Sequence, residues 1–188
     1  MHAITLAPSV RVEVNEVALA ARLDFKEVTD YEGVDVGGTL RVKHAVAGTE
    51  LLSEQLDLMA DGTYTLLVTG RSANIDLVVA RDTAAIPAPG TAKLRVMHSA
   101  ADLPEVDIFL RQPGVADPFR LLFPFRFGMV SHYQQGDPGV YEITLLDAAT
   151  ADTLGSVTNQ MVAGQVLTVV VLDADGGMAD FAVLNDRS

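Results

Sequence analysis

The chain has no cysteine, no tryptophan and few other aromatics, and basic residues are scarce. Without cysteine there can be no disulfide, no thiolate nucleophile and no Cys-ligated zinc site. Lys and Arg number 13 against 25 Asp and Glu, a net charge of -12. Residues 1–90 carry 7 basic against 13 acidic side chains and residues 91–188 carry 6 against 12, so each half contributes -6. With no basic patch, nucleic acid is excluded as a partner and anionic membrane surfaces are disfavoured. No run approaches the ~18 apolar residues that a membrane-spanning helix needs. Met1 to Pro8 lacks the basic start and unbroken apolar run of a secretory leader, so none is read in this stretch. Catalytic signatures are missing too: there is no Gly-x-Ser-x-Gly elbow and no glycine-rich loop leading from strand into helix.

What is present is a 49% hydrophobic composition dealt out in short alternating runs. Val10-Arg11-Val12-Glu13-Val14 alternates strictly and reads as a half-buried strand, after which Asn15-Glu16 turns the chain. Val17 to Ala21 is alanine-rich and is expected as a short helical turn. Thr39 to His44, Leu51 to Met59, Thr63 to Val68 and Asp76 to Asp82 follow as strands, with turns at Ala47-Gly48-Thr49, Asp61-Gly62 and Gly70 to Asn74. Strands at this spacing, with no helical period, argue for an all-β sandwich.

The pattern then repeats. Met1-His2 falls on Met97-His98 at an offset of 96, and Phe25, Val28 and Tyr31 fall on Phe127, Val130 and Tyr133 at 102. Gly62 is matched to Gly164 at 102, and Asp76 and Asp82 to Asp180 and Asp186 at 104. The offset changes where insertions sit, chiefly Gln112 to Leu122 and Asp173 to Gly177, as a duplicated packing unit would tolerate in its loops. The expected organisation is a β-sandwich at residues 1–82, a proline-containing linker at 83–92 and a second β-sandwich at 93–188.

Four segments carry a resemblance to a known family: Lys93 to Ala100, Val106 to Leu110, Phe127 to Tyr133, and the Pro138-Gly139-Val140-Tyr141 turn into a strand. With the late apolar strand from Gly164 to Leu172 they resemble the bacterial family known as domain of unknown function 4397, in two tandem copies of which the second is closer. The resemblance implies Ig-like or transthyretin-like antiparallel sandwiches, in secreted proteins or lipoproteins, and no established activity. The lipid-anchor cysteine common in such proteins is missing here. The first copy also lacks the strand that precedes its Met-His pair, the counterpart of Lys93 to Val96. Either an upstream segment supplies that strand, or the first sandwich has an incomplete sheet edge open to homo-oligomerisation.

Candidate sites are few. Asp173, Asp175 and Asp180, around Gly176 and Gly177, form a weak calcium candidate whose plainer reading is a hairpin turn. The phenylalanine-rich insertion offers Phe119, Arg120, Phe123 and Arg126 as a binding surface, with Phe125 and Phe127 read as core and His132 as a neighbouring contact. His2 and His98 are equivalent and read as structural, since no further ligands converge on them. His44 and His132 have no histidine counterpart. Glu13, Glu142 and Asp147 read as a solvated face, and Tyr31 and Tyr133 as tyrosines whose hydroxyls tie a turn. No catalytic residue and no cofactor is expected. The role expected is a non-catalytic extracellular, periplasmic or cell-surface module for interaction, adhesion or structure, with a protein or glycan partner. The alternatives are a filament or surface-layer subunit joined through sheet edges, a carbohydrate-binding module and a hydrolase.

Overall fold

Asn15 and Glu16 both take left-handed backbone angles, with φ of 48° and 69°. Two successive residues of that kind make the hairpin turn whose twist suits flanking strands, and it joins β1 (Val10–Val14) to β2 (Val17–Leu23) with Val14 opposite Val17. The alanine-rich stretch expected as a helical turn is therefore a strand. Its pairing to β1, through two irregularities in register, outweighs the weak local preference of alanine. The computed structural model describes residues 1–112, 114 and 119–186, with 119–123 described for the backbone alone.

The chain divides into two compact units, Met1–Asp82 and Thr83–Ser188. In the first, β3 (Thr39–His44) and β4 (Glu50–Gln55) complete a sheet of order β2-β1-β3-β4. Facing it is a hairpin of β5 (Tyr64–Arg71) and β6 (Asn74–Arg81). Alternation places Val10, Val12, Val14, Leu40 and Val42 on the inner face, where they pack with Val68 and the half-buried Leu66, Ile75 and Leu77 of the hairpin. Gly70 is required at the β5–β6 turn. Its φ is +91°, and a Cβ there would lie 2.5 Å from the Asn74 carbonyl oxygen.

The second unit contains β7 (Ala92–His98), β8 (Val106–Arg111), β9 (Phe119–Phe125), β10 (Gln134–Gly136), β11 (Gly139–Asp147), β12 (Thr153–Met161), β13 (Val166–Asp173) and β14 (Ala179–Asn185). One sheet runs β12-β11-β8-β9 and the other β10-β7-β13-β14. Only β7 and β13 pair in parallel; the other ladders between named strands are antiparallel. Leu94, Val96, Val169 and Val171 meet Val106, Ile108, Ile143, Leu145 and Phe125 in the core between the sheets. The chain is thus all-β, sheet against sheet, as its alternating runs imply. The phenylalanine-rich insertion, expected as a loop, instead supplies an edge strand, with Phe119 opposite Leu110 and Phe125 opposite Val106.

Candidate functional site

Each unit is fastened at one buried histidine. The His2 backbone N–H donates to the Glu27 carbonyl at 3.1 Å and its own carbonyl accepts from Lys26 at 2.8 Å, closing a turn in which Lys26 has φ 69°. In the second unit His98 makes the same two bonds with Met129 and Gly128, whose φ is 80°. The His2 ring nitrogen Nε2 lies 3.1 Å from the Pro8 carbonyl. Both rings pack on phenylalanine, His2 on Phe25 and His98 on Phe125. Neither ring nitrogen of His98 has a partner in good hydrogen-bond geometry, although the Pro104 carbonyl is near enough to act on the ring. Burial lowers its pKa to about 4, only partly opposed by the Pro104 carbonyl. Burial lowers His2 as well. Both histidines are packed at the turns that their backbones fasten.

A second shared feature links the last strand to a tyrosine. In the first unit Tyr31 Oη donates to Asp82 Oδ2 at 2.9 Å, and the Thr65 hydroxyl lies 3.0 Å from the same oxygen. In the second, Tyr133 Oη and the Thr168 hydroxyl each donate to Asp186 Oδ2 at 2.6 Å. There an arginine joins them. Arg95, only 1% exposed, donates from Nε to Thr168 at 2.7 Å, stands 3.7 Å from Asp186 and stacks 4.6 Å above the Tyr133 ring. Sequence inspection matched the two tyrosines but gave no sign of this network. Strand position alone does not reveal that Arg95 turns into the protein rather than into water.

The units differ at one place. In the second unit β7 lies between β13 and β10, parallel to the former and antiparallel to the latter. Among the described residues of the first unit, β5 pairs only with β6 along its length, apart from a single parallel bridge between His2 and Val68. The Met1 amino group donates to the Leu66 carbonyl at 2.9 Å, and the Met1 carbonyl accepts from Val68. Burial lowers the pKa of that amino group to about 6. Among the described residues no strand lies beside β5 from Tyr64 to Leu66 on this side. Tyr64 and Leu66 are half-buried, whereas Leu167 and Val169, their counterparts, are buried. Residues 32–34, the counterpart of β10, form no strand. Around them Val28, Tyr31 and Val36 are about half exposed at 49, 48 and 57%. Asp30, Glu32 and Asp35 stand between them and are also exposed.

The other candidates do not converge. The Asp173 carboxylate accepts the N–H groups of Ala101 and Asp102 at 2.8 and 2.9 Å, and Asp180 accepts that of Phe181 at 2.7 Å. Asp175 begins a 3₁₀ turn in which Gly176 and Gly177 have φ of 73°. Among the described residues no three His or carboxylate side chains gather as metal ligands. The Asp173 carboxylate thus holds the neighbouring loop at Ala101 and Asp102. Arg126 is ion-paired with Glu105, Phe125 is buried and His132 is exposed. The side chains of Phe119, Arg120 and Phe123 lie outside the described ones. Glu13 is not on a solvated face. It is 3% exposed, bonded to Lys43 and 3.2 Å from Arg11, and the Lys43 bond holds its carboxyl below the usual range. His44 and Asp147 do the same job in the two units: each accepts two backbone N–H groups of the following turn through Nδ1 or Oδ1. The hydrogen bonds also shift one matched pair. Met59 to Gly62 and Val162 to Gln165 close equivalent turns, so Asp61, with φ 58°, stands where the second unit has Gly164, with φ 87°.

Fold and site together define an all-β sandwich protein. The chain belongs to the family described as "Domain of unknown function (DUF4397)", whose model matches residues 1–109. That is one copy, it includes the first unit, and it runs past the division between the units; the closer resemblance had been expected in the second half. A search of curated proteins returns no match. Among solved structures the chain is similar to the crystal structure of a "putative cell adhesion protein" from Bacteroides fragilis NCTC 9343. The identity is 11%, over 98% of this chain and 86% of that one, with a TM-score of 0.29. A likeness so slight places neither fold nor role.

Proposed function

We propose that the protein is a non-catalytic interaction module, extracellular or at the cell surface, built by duplication of one β-sandwich unit and engaging its partner through the exposed segment around Tyr31 of the first unit. The duplication is supported by the histidine-centred turn, the Tyr-Asp-Thr cluster and the turn caps at His44 and Asp147, which recur in the same order along the chain. The observation that carries the interaction reading is the exposed segment from Val28 to Val36, where Val28, Tyr31 and Val36 stand among Asp30, Glu32 and Asp35. Apolar and aromatic side chains held at the surface beside charges suit a protein partner. Phe125, one of the aromatic rings in the insertion, is in the core and closed to sugar stacking.

Photo-crosslinking in intact cells tests this reading. With p-benzoylphenylalanine in place of Tyr31, irradiation is expected to give an adduct of higher mass that added protease removes without lysis. The same residue in place of Val46, which is 82% exposed on the β3–β4 turn, is expected to give no such adduct. An adduct protected inside the cell, or none at all from position 31, contradicts the reading.

A further inference from the structure

We infer that β12 pairs antiparallel with β12 of a second copy of this chain, joining two sheets across a two-fold axis. Among the described residues, every other edge strand longer than three residues carries a charged residue: Arg22 in β2, Glu50 in β4, Arg71 in β5, Asp76 in β6, Arg120 in β9 and Asp180 in β14. Charge on an edge guards it against pairing with another chain. β12, Thr-Leu-Gly-Ser-Val-Thr-Asn-Gln-Met, has no charge and no proline over its nine residues. Its register with β11 shifts once, near its start, and then runs unbroken from Gly155 to Met161. Among the described residues β11 is its only strand neighbour. At Gly155 the strand lies against β14, where a Cβ would be 2.9 Å from the Ala179 carbonyl oxygen, so the stretch left for pairing is Ser156 to Met161. Its described side-chain hydrogen bonds are local: the Asn159 and Gln160 amides donate to the Gln160 and Met161 carbonyls at 3.2 Å.

Charge points to a second copy as the occupant. The chain carries -12, so two copies repel wherever acidic surfaces meet, and an uncharged edge is where their approach costs least. Two-fold pairing brings the same patch of both copies together. Centred on Thr158, it places Thr158 opposite Thr158 and Ser156 opposite Gln160. These are the exposed side chains of the strand, while Val157 and Met161 pack into the core. Thr–Thr and Ser–Gln contacts can hydrogen-bond across such a pair, and no like charges meet. Glu142, opposite Thr158 on β11, is already paired with Arg111. A strand of another protein chosen for basic residues would gain nothing here, because β12 offers it no carboxylate. A ladder this short is smaller than a permanent interface requires, so the dimer is reversible.

The test is sedimentation velocity of the intact protein over a series of concentrations. A reversible dimer is expected, tightening about threefold or more as sodium chloride rises from about 0.05 to about 0.5 M, because salt screens the repulsion between the two chains. Thr158→Lys sets two ammonium groups against each other at the axis and is expected to weaken the dimer about tenfold or more. Circular dichroism confirms that the variant remains folded. If it does not fold, the absence of cysteine in the chain supplies a second measurement. Thr158→Cys is expected to crosslink into a dimer with a short bismaleimide, and Val46→Cys, on the exposed β3–β4 turn, to remain a monomer. A protein that stays monomeric at about 1 mM, or a dimer that loosens as salt rises, overturns the inference. So does a dimer that Thr158→Lys leaves intact, which would use another surface. Equal crosslinking at the two positions, or none at position 158, overturns it as well. None of these outcomes bears on whether position 31, in the other unit, crosslinks at the cell surface.

Discussion

Replacing Arg95 by alanine is expected to cost about 3–5 kcal/mol of folding free energy, the range for removing one partner of a buried ion pair. The size follows from what is left behind. Arg95 and Asp186 have side chains only 1% and 3% exposed, so without the guanidinium the carboxylate remains charged and shut away from water. Tyr133 and Thr168 still donate to it, but two neutral donors do not replace a cation. The cavity and the lost stacking on Tyr133 add to the loss. The double change Arg95→Met and Asp186→Asn is expected to be milder than Arg95→Ala alone, because it removes the buried charge and leaves an acceptor for the tyrosine. Urea unfolding at pH 7 measures both. By comparison Arg111 and Glu142 pair where both are partly exposed, and breaking that pair is expected to cost under about 1 kcal/mol. A loss for Arg95→Ala in that lower range would show that the Arg95–Asp186 pair is solvated.

The second large effect is on pH. His98 has its pKa lowered to about 4, chiefly by burial, from an unfolded value of about 6.5. A group depressed in the folded state favours folding while it is neutral. The contribution is complete above the unfolded value and is lost as pH falls from about 6.5 towards 4. A shift of this size corresponds to about 3 kcal/mol. His2 is shifted in the same direction, mainly by burial, and adds to the loss. Glu13 is held low by its bond to Lys43 and Asp24 by its bonds to Ser9 and Arg22. Their contributions disappear only as they protonate, at lower pH. The wild-type protein is therefore expected to lose stability steeply between pH 6.5 and 4, and His98→Leu to flatten that slope. Because neither ring nitrogen of His98 makes a hydrogen bond of good geometry and burial disfavours its charged form, the leucine variant is expected to match or exceed wild-type stability at pH 5. Urea unfolding from pH 4 to 8 checks this. An unchanged slope in the variant would show that His98 is not the titrating group.

How much of this was legible in the sequence depended on the kind of signal. Alternation at Val10 to Val14 and Thr39 to His44 set the strands and their inner faces, because a period of two leaves little choice of face. The paired Met-His and Phe-x-x-Val-x-x-Tyr segments located the two fastened turns. Val17 to Ala21 was misread, because alanine says little locally and its place was decided by pairing with β1. Gly62 was matched to Gly164 on identity, but the turn needs a left-handed residue and Asp61 supplies it. Asp173 and Asp180 carry either reading in sequence, because carboxylates and glycines serve turns and cations alike. Glu13, Arg95 and His44 were hidden for a common reason: their roles depend on partners 30 and 73 residues away, or on a turn, that no local pattern encodes.

The most direct measurement is amide hydrogen exchange at His2 and His98 in the free protein. Each N–H donates to a carbonyl of the turn fastened in its own unit, Glu27 or Met129. Strong protection at both amides, lost only when the unit opens, is the expected result. Fast exchange at either would mean that the two units do not share the fastened turn, and the duplication on which the proposed role rests would be wrong.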